Sequence, residues 1–135
     1  MSEHEHAGRC ACGAVRFRLV GQPTDVIACH CQTCRRWSGY YWAATHVPRD
    51  ALIIDAEAEL AWWASSEFAE RGFCSHCGSS LFYRRHDADR VSVAPGALDA
   101  PTHLATTAHI CVAEAGDYYA IDPNTPRFPG PDTGS

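Results

Sequence analysis

Seven cysteines of the chain fall into three tight groups: Cys10 and Cys12 as C-x-C, Cys29, Cys31 and Cys34 as C-x-C-x-x-C, and Cys74 and Cys77 as C-x-x-C followed by Gly78. Thiolates are soft metal ligands, and at these spacings the backbone can fold back and aim two sulfurs at one ion. Zinc takes four such ligands in a tetrahedron at about 2.3 Å from each sulfur. Cys10 and Cys12 together with Cys74 and Cys77 make one complete, closed set, the pattern of a structural zinc. Cys29, Cys31 and Cys34 supply only three ligands, and three protein ligands with an open fourth position are the pattern of a catalytic zinc. Two zinc ions per chain are therefore expected.

Two plainer readings stand beside this one. The two pairs also suit redox dithiols, and the triplet also suits a second structural zinc whose fourth ligand comes from Cys111, His30, His76 or His109. Cys111 sits in the apolar run His109-Ile110-Cys111-Val112, where a cysteine serves equally as a small buried hydrophobe. Arg35 and Arg36 follow the triplet, placed either to lower thiolate pKa values and hold a substrate carboxylate or simply to be solvated. Tyr40-Tyr41-Trp42, Trp62-Trp63 and Tyr118-Tyr119 offer pocket walls or core. His4 and His6 fit a loose metal-binding tail less well than a merely floppy one.

The elements that must hold these groups are short strands. Ala14 to Val20 alternates, with Val15, Phe17 and Leu19 on one face and Arg16 and Arg18 on the other, and Arg90 to Ala94 does the same with Val91 and Val93 inward. Further strands are expected over Val26–Ala28, Tyr40–Val47, Leu52–Ile54, Leu60–Ala64, Glu67–Phe73, Ser79–Arg84 and His109–Val112. A short helical turn ends near Gly39. Gly13 and Gly78 follow the cysteine pairs where a tight turn asks for positive φ. No stretch carries a long helical period, so the expected fold is all-β, a small zinc-binding domain of short antiparallel strands with cysteine knuckles. Its bounds are residues 8–129, between a flexible segment 1–7 and a flexible tail 130–135. The Pro- and Gly-rich stretch from Pro123 onward reads as extended or loose.

Composition narrows the function. The chain has 135 residues with 46% hydrophobic and 20% charged, enough for a buried core and unlike a disordered chain. Its formal charge is −5 and all its basic residues are arginine, which disfavours nucleic acid and anionic membranes as partners. No apolar run approaches the length of a membrane span, and the polar, acidic start lacks the pattern of a secretion signal, so a cytoplasmic location is expected. In a reducing compartment, clustered cysteines serve metals more often than disulfides.

The runs G-R-C-A-C-G-A-V-R-F, C-H-C-Q-T-C-R-R-W-S-G and R-G-F-C-S-H-C-G-S, with V-S-V-A-P-G-A-L-D, H-I-C-V and P-R-F later in the chain, resemble the glutathione-dependent formaldehyde-activating enzyme family, which also includes centromere protein V. The similarity spans about Gly8 to Pro129. It implies a β-tent zinc-binding fold, a structural zinc on Cys10, Cys12, Cys74 and Cys77, and an active-site zinc on Cys29, Cys31 and Cys34. The activity it implies is of carbon–sulfur lyase type, joining a small thiol, glutathione in the founding case, to an aldehyde such as formaldehyde. The competing expectation is a non-catalytic zinc domain that binds a partner protein. Neither the cysteines nor their flanks specify the oligomeric state.

Overall fold

The computed structural model describes residues 5–132. In chain order its elements are β1 (Glu5–Arg9), β2 (Arg16–Val20), β3 (Val26–Cys29), α1 (Gln32–Ser38), β4 (Trp42–Pro48), β5 (Leu52–Ala56), β6 (Leu60–Ala64), β7 (Ala69–Cys74), β8 (Ser80–Arg85), β9 (Arg90–Val93) and β10 (Thr106–Ile110). The protein is thus mostly β, with α1 the single α-helix among the described residues. The chain divides into two compact units, one formed by residues up to Thr24 and Thr45–His103, the other by Asp25–Ala44 and the residues from Leu104 on.

The first unit holds two layers of pairing. β1, β2 and β5 form a three-stranded antiparallel sheet, with Gly8 opposite Phe17 and Phe17 opposite Ile54. The residues Thr45–Pro48 of β4 pair with β9, and β9, β8, β7 and β6 follow as successive antiparallel neighbours. The alternation read in the sequence appears directly: Val15, Phe17, Leu19, Val91 and Val93 are all buried. Phe17 and Phe82 meet edge to face at 5.0 Å between ring centres. Gly8 has no room for a side chain, because a Cβ there would stand 2.4 Å from the Phe17 ring. On the outer face Arg18 grips Asp55 with two hydrogen bonds of 2.9 and 3.0 Å.

The second unit is built on β3, which pairs antiparallel with residues Trp42–Ala44 of β4 and parallel with β10. The parallel pair departs from the expected antiparallel pattern. It is possible because all of Thr45–His103 intervenes between its two strands, long enough for a crossover. The stretch expected to be loose after Pro123 is anchored on the other edge of β10. The His109 N–H donates to the Pro126 carbonyl at 2.9 Å, and the Phe128 and Cys111 N–H groups donate to His109 and Gly130 carbonyls at 2.9 and 2.8 Å. An edge is where a Pro-containing segment pairs without losing a needed donor.

At the N-terminus, β1 begins at Glu5, ahead of the Gly8 boundary, with Glu5 opposite Val20. The rest of the segments expected to be flexible, residues 1–4 with His4 and residues 133–135, lies outside the described residues.

Candidate metal centres

Each unit carries one cluster of thiols, and none of the eight cysteines is in a disulfide. In the first unit, Cys10, Cys12, Cys74 and Cys77 have their sulfurs all within 4.8 Å of one another. Two turns of similar design place them. In one, the Gly13 N–H closes on the Cys10 carbonyl at 3.2 Å, with Gly13 at φ 83°. In the other, the Gly78 N–H closes on the Cys74 carbonyl at 2.7 Å, again with φ 83°. Both glycines have the positive φ expected of them. Backbone amides then face the sulfurs: Val15 N–H donates to Cys10 Sγ at 3.2 Å and Cys77 N–H to Cys74 Sγ at 3.4 Å.

The spacing suits one ion. A tetrahedron of sulfurs about 2.3 Å from its centre has edges of about 3.8 Å. The Cys10–Cys12 and Cys12–Cys74 sulfurs stand 3.6 and 3.9 Å apart. The thiols also compete for charge. The hydroxyl and amide of Ser79 pull the Cys77 thiol down to about 5. The Ala14 amide pulls on Cys12 too, but burial and the sulfurs of Cys10, Cys77 and Cys74 outweigh it and push that thiol up to about 12. One thiolate among four close sulfurs makes the next costly, and a dication among them removes that conflict.

Ser79 was not singled out from the sequence. Its oxygen accepts from the Ala11 N–H at 3.0 Å, which leaves its hydroxyl proton for Cys77 Sγ at 3.2 Å. It thereby ties the Cys10–Cys12 turn to the Cys74–Cys77 turn. The signal was the serine immediately after Gly78.

In the second unit, Cys29, Cys31 and Cys34 likewise have their sulfurs within 4.8 Å of one another. Cys29 ends β3, and Cys31 caps α1: its backbone is extended, and its sulfur accepts from the Cys34 N–H at 3.3 Å. Gly39 closes the other end in the left-handed conformation, its N–H on the Arg35 carbonyl at 2.8 Å. Hydrogen bonding to Cys31 is the largest influence on Cys29, whose thiol is pushed up to about 12. Arg35 donates from Nε to the Glu114 carbonyl at 3.0 Å, and the Gln32 N–H donates to the Glu114 carboxylate at 3.1 Å. Arg35 thus fastens α1 to the segment after β10.

His30, between two of these cysteines, is fully buried at 0% exposure and belongs to a hydrogen-bonded chain. The Gly116 N–H donates to the Tyr119 oxygen at 2.9 Å, and the Tyr119 hydroxyl is hydrogen-bonded to His30 Nδ1 at 2.8 Å. His30 Nε2 in turn shares a hydrogen bond with His109 Nδ1, also at 2.8 Å. Burial, reinforced by His109 and Arg127, lowers the His30 pKa to about 4, and burial lowers His109 too, so both rings are neutral at physiological pH. With both nitrogens engaged, His30 is positioned to orient the Cys29–Cys31 backbone rather than to join its sulfurs. His76, the remaining histidine of the expected set, lies in the Cys74–Cys77 turn of the first unit.

Tyr41 and Tyr119 pack on His30, and Tyr40 and Tyr118 join them in a connected aromatic group, with ring centres 4.7 to 6.0 Å apart. Trp62 instead stacks on Phe82 in the first unit. Tyr119→Phe leaves the buried His30 ring and the half-buried Gly116 N–H without their partner. It is expected to cost about 1–3 kcal/mol of stability, read as a lower denaturant midpoint with an unchanged slope.

Each cluster can therefore hold a metal ion. Thiolate sets select zinc, copper(I) or iron–sulfur clusters over the hard cations. Among the described residues, no helix is long and apolar enough to cross a membrane.

Comparison with known proteins gives a consistent picture. Residues 5–114 match the family model described as glutathione-dependent formaldehyde-activating enzyme. A Schizosaccharomyces pombe protein named as an uncharacterized lyase is 26% identical over 125 residues, 92% of this chain and 90% of that one. A Halomonas elongata protein, provisionally named for the glutathione-dependent formaldehyde-activating enzyme, is 36% identical over 85 residues, 56% of this chain and 53% of its own length. A crystal structure of a Rhodobacter sphaeroides protein covers 90% of this chain and 98% of its own at a TM-score of 0.60 and 21% identity, which establishes likeness of fold.

Proposed function

The chain belongs to the glutathione-dependent formaldehyde-activating enzyme family, and on that premise we propose that it is a zinc-dependent carbon–sulfur lyase-type enzyme acting on the adduct of a small thiol and a small aldehyde, glutathione and formaldehyde being the leading pair. The observation that carries this reading is the group Cys29, Cys31 and Cys34, three sulfurs gathered for one ion and not four. Cys10, Cys12, Cys74 and Cys77 are assigned to a structural zinc.

In the addition, the thiol sulfur bonds to the aldehyde carbon and the thiol proton ends on the former carbonyl oxygen; the lyase direction reverses both. A zinc ion held by the three cysteines supplies, when bound, a Lewis-acidic position that stabilises a thiolate or polarises a carbonyl. Three thiolates outweigh a dication, so the centre favours thiol capture over strong carbonyl activation. The chain's own part is to fix the geometry. The Cys34 amide holds the Cys31 sulfur, and the Tyr119–His30–His109 chain fixes the peptide that carries Cys29 and Cys31. The free thiols suit the reducing cytoplasm, and the net negative charge disfavours nucleic acid as a partner.

The competing reading, a zinc-binding interaction module, draws on Tyr40 and Tyr118, which are 47% and 53% exposed. Exchange NMR with 13C-labelled formaldehyde and glutathione separates the two. The enzyme is expected to speed interconversion of free aldehyde and hydroxymethyl adduct above the spontaneous rate. No acceleration with glutathione or with a panel of other thiol–aldehyde pairs leaves the interaction module.

A further inference from the structure

Cys111 is the eighth cysteine, the one that the three groups leave out. We propose that its thiolate is the fourth sulfur ligand of the second centre, closing Cys29, Cys31 and Cys34 into a four-cysteine site in the absence of substrate, and that the substrate thiol competes with it for that position. This deepens the reading above and rests on it.

The backbone places Cys111 beside the trio. β10 runs parallel to β3 with Ile110 opposite Cys29, and the His30 N–H donates to the Ile110 carbonyl at 3.0 Å. Residue 111 is therefore the next step of the chain alongside Cys29 and His30. There the strand ends: Cys111 takes the left-handed conformation, φ 57° and ψ 34°, with its N–H held by the Gly130 carbonyl at 2.8 Å. The 3-10 turn that follows, Val112–Glu114, is fastened through Glu114 to Gln32 and Arg35 of α1, the helix that carries Cys34. Cys111 thus sits between a strand that is hydrogen-bonded beside Cys29 and a turn bound to the helix of Cys34.

The thiol is buried, with the residue at 8% exposure. It stands outside the group whose sulfurs lie within 4.8 Å of one another, so ligation draws it closer to them. Among the histidines nearby, both His30 ring nitrogens are hydrogen-bonded, and His109 is tied through Nδ1 to His30. Structural zinc with thiolate ligands is almost always four-coordinate. On ligation Cys111 gives its proton to solvent. When the substrate thiol takes the position, Cys111 takes a proton back and the thiol releases one, so the exchange is neutral in protons.

Cadmium-113 NMR of the intact chain loaded with cadmium at both centres tests this, because each ion reports its own sulfur count. Two resonances in the range of four-sulfur coordination are expected. Cys111→Ser is expected to move one of them upfield, toward three sulfurs and an oxygen, and to leave the other in place. A wild-type spectrum in which one ion already has three sulfurs overturns the proposal whatever the variant does. So does a Cys111→Ser or Cys111→Ala spectrum with both resonances unmoved. Formaldehyde–glutathione exchange measured on the wild-type zinc protein keeps the outcomes apart. A three-sulfur ion with exchange intact sinks the role of Cys111 alone, whereas a four-sulfur ion without exchange sinks the enzymatic reading, and with it the competing substrate thiol, but leaves Cys111 as a ligand.

Discussion

Cys74→Ser is expected to yield a chain that does not fold at ambient temperature. Cys74 is the most buried member of its cluster and is tied into it at several points. Its side chain is at 0% exposure, its sulfur accepts from Cys77 N–H and approaches Cys12, and its carbonyl closes the turn onto Gly78. β7 ends on it, and its N–H donates to the Ser79 carbonyl at the start of the return toward β8. A structural zinc on four cysteines contributes about 10–16 kcal/mol of apparent binding free energy, and that free energy is folding free energy. A domain of ordinary stability has only about 5–15 kcal/mol in hand. Serine offers a poor ligand and leaves a buried hydroxyl where the sulfur was. The measurement is circular dichroism with zinc analysis: strand signal and cooperative melting are expected to be lost, together with binding of both ions. A variant that melts near the wild-type temperature would show that the four-cysteine centre is not what holds the first unit together.

What was legible in the sequence followed from periods and short spacings. β2 and β9 declared themselves because one face of each is buried and the other is not, and the inward residues Val15, Phe17, Leu19, Val91 and Val93 are those the alternation indicates. The cysteine groups were legible too, since C-x-C and C-x-x-C spacing is local, and counting four ligands to an ion joined the two pairs that are 62 residues apart. The helix α1 was less so. It has seven residues and no apolar period, and its N-cap is a cysteine sulfur rather than the usual serine, threonine or aspartate. The long-range features left no local mark. His109 is 79 residues from His30 and Tyr119 is 89 residues away, so nothing near His30 announces that both its nitrogens are taken. The parallel pairing of β10, and the docking of the Pro-rich segment on its outer edge, depend likewise on closing a long loop that no window of sequence contains.

Cys31→Ser is expected to do the opposite of Cys74→Ser: to leave the fold and remove the activity. The difference lies in what each sulfur does for the backbone. Cys31 is the N-cap of α1, and its sulfur accepts from the Cys34 N–H in the position where a serine hydroxyl is among the best caps known. The substitution therefore preserves the helix, and Cys31 is only half-buried, so little core is disturbed. The His30 side chain keeps its bonds to Tyr119 and His109, which fix the loop independently of the sulfur. What is lost is one of the three sulfurs gathered at Cys29, Cys31 and Cys34. Removing an outer-shell partner of a metal ligand already costs about 10–100-fold in affinity or activity, so removing the ligand itself is expected to cost more than about 100-fold in kcat/KM. The melting temperature should fall by no more than a few degrees, since about 1 kcal/mol corresponds to roughly 2–8 °C in domains of this size range. Zinc content should drop from two ions toward one. Turnover, melting and metal content measured side by side on Cys31→Ser and Cys74→Ser decide the matter. Equal losses of thermal stability in the two variants would mean that the clusters share one structural task, and the assignment of chemistry to the trio would fall with that result.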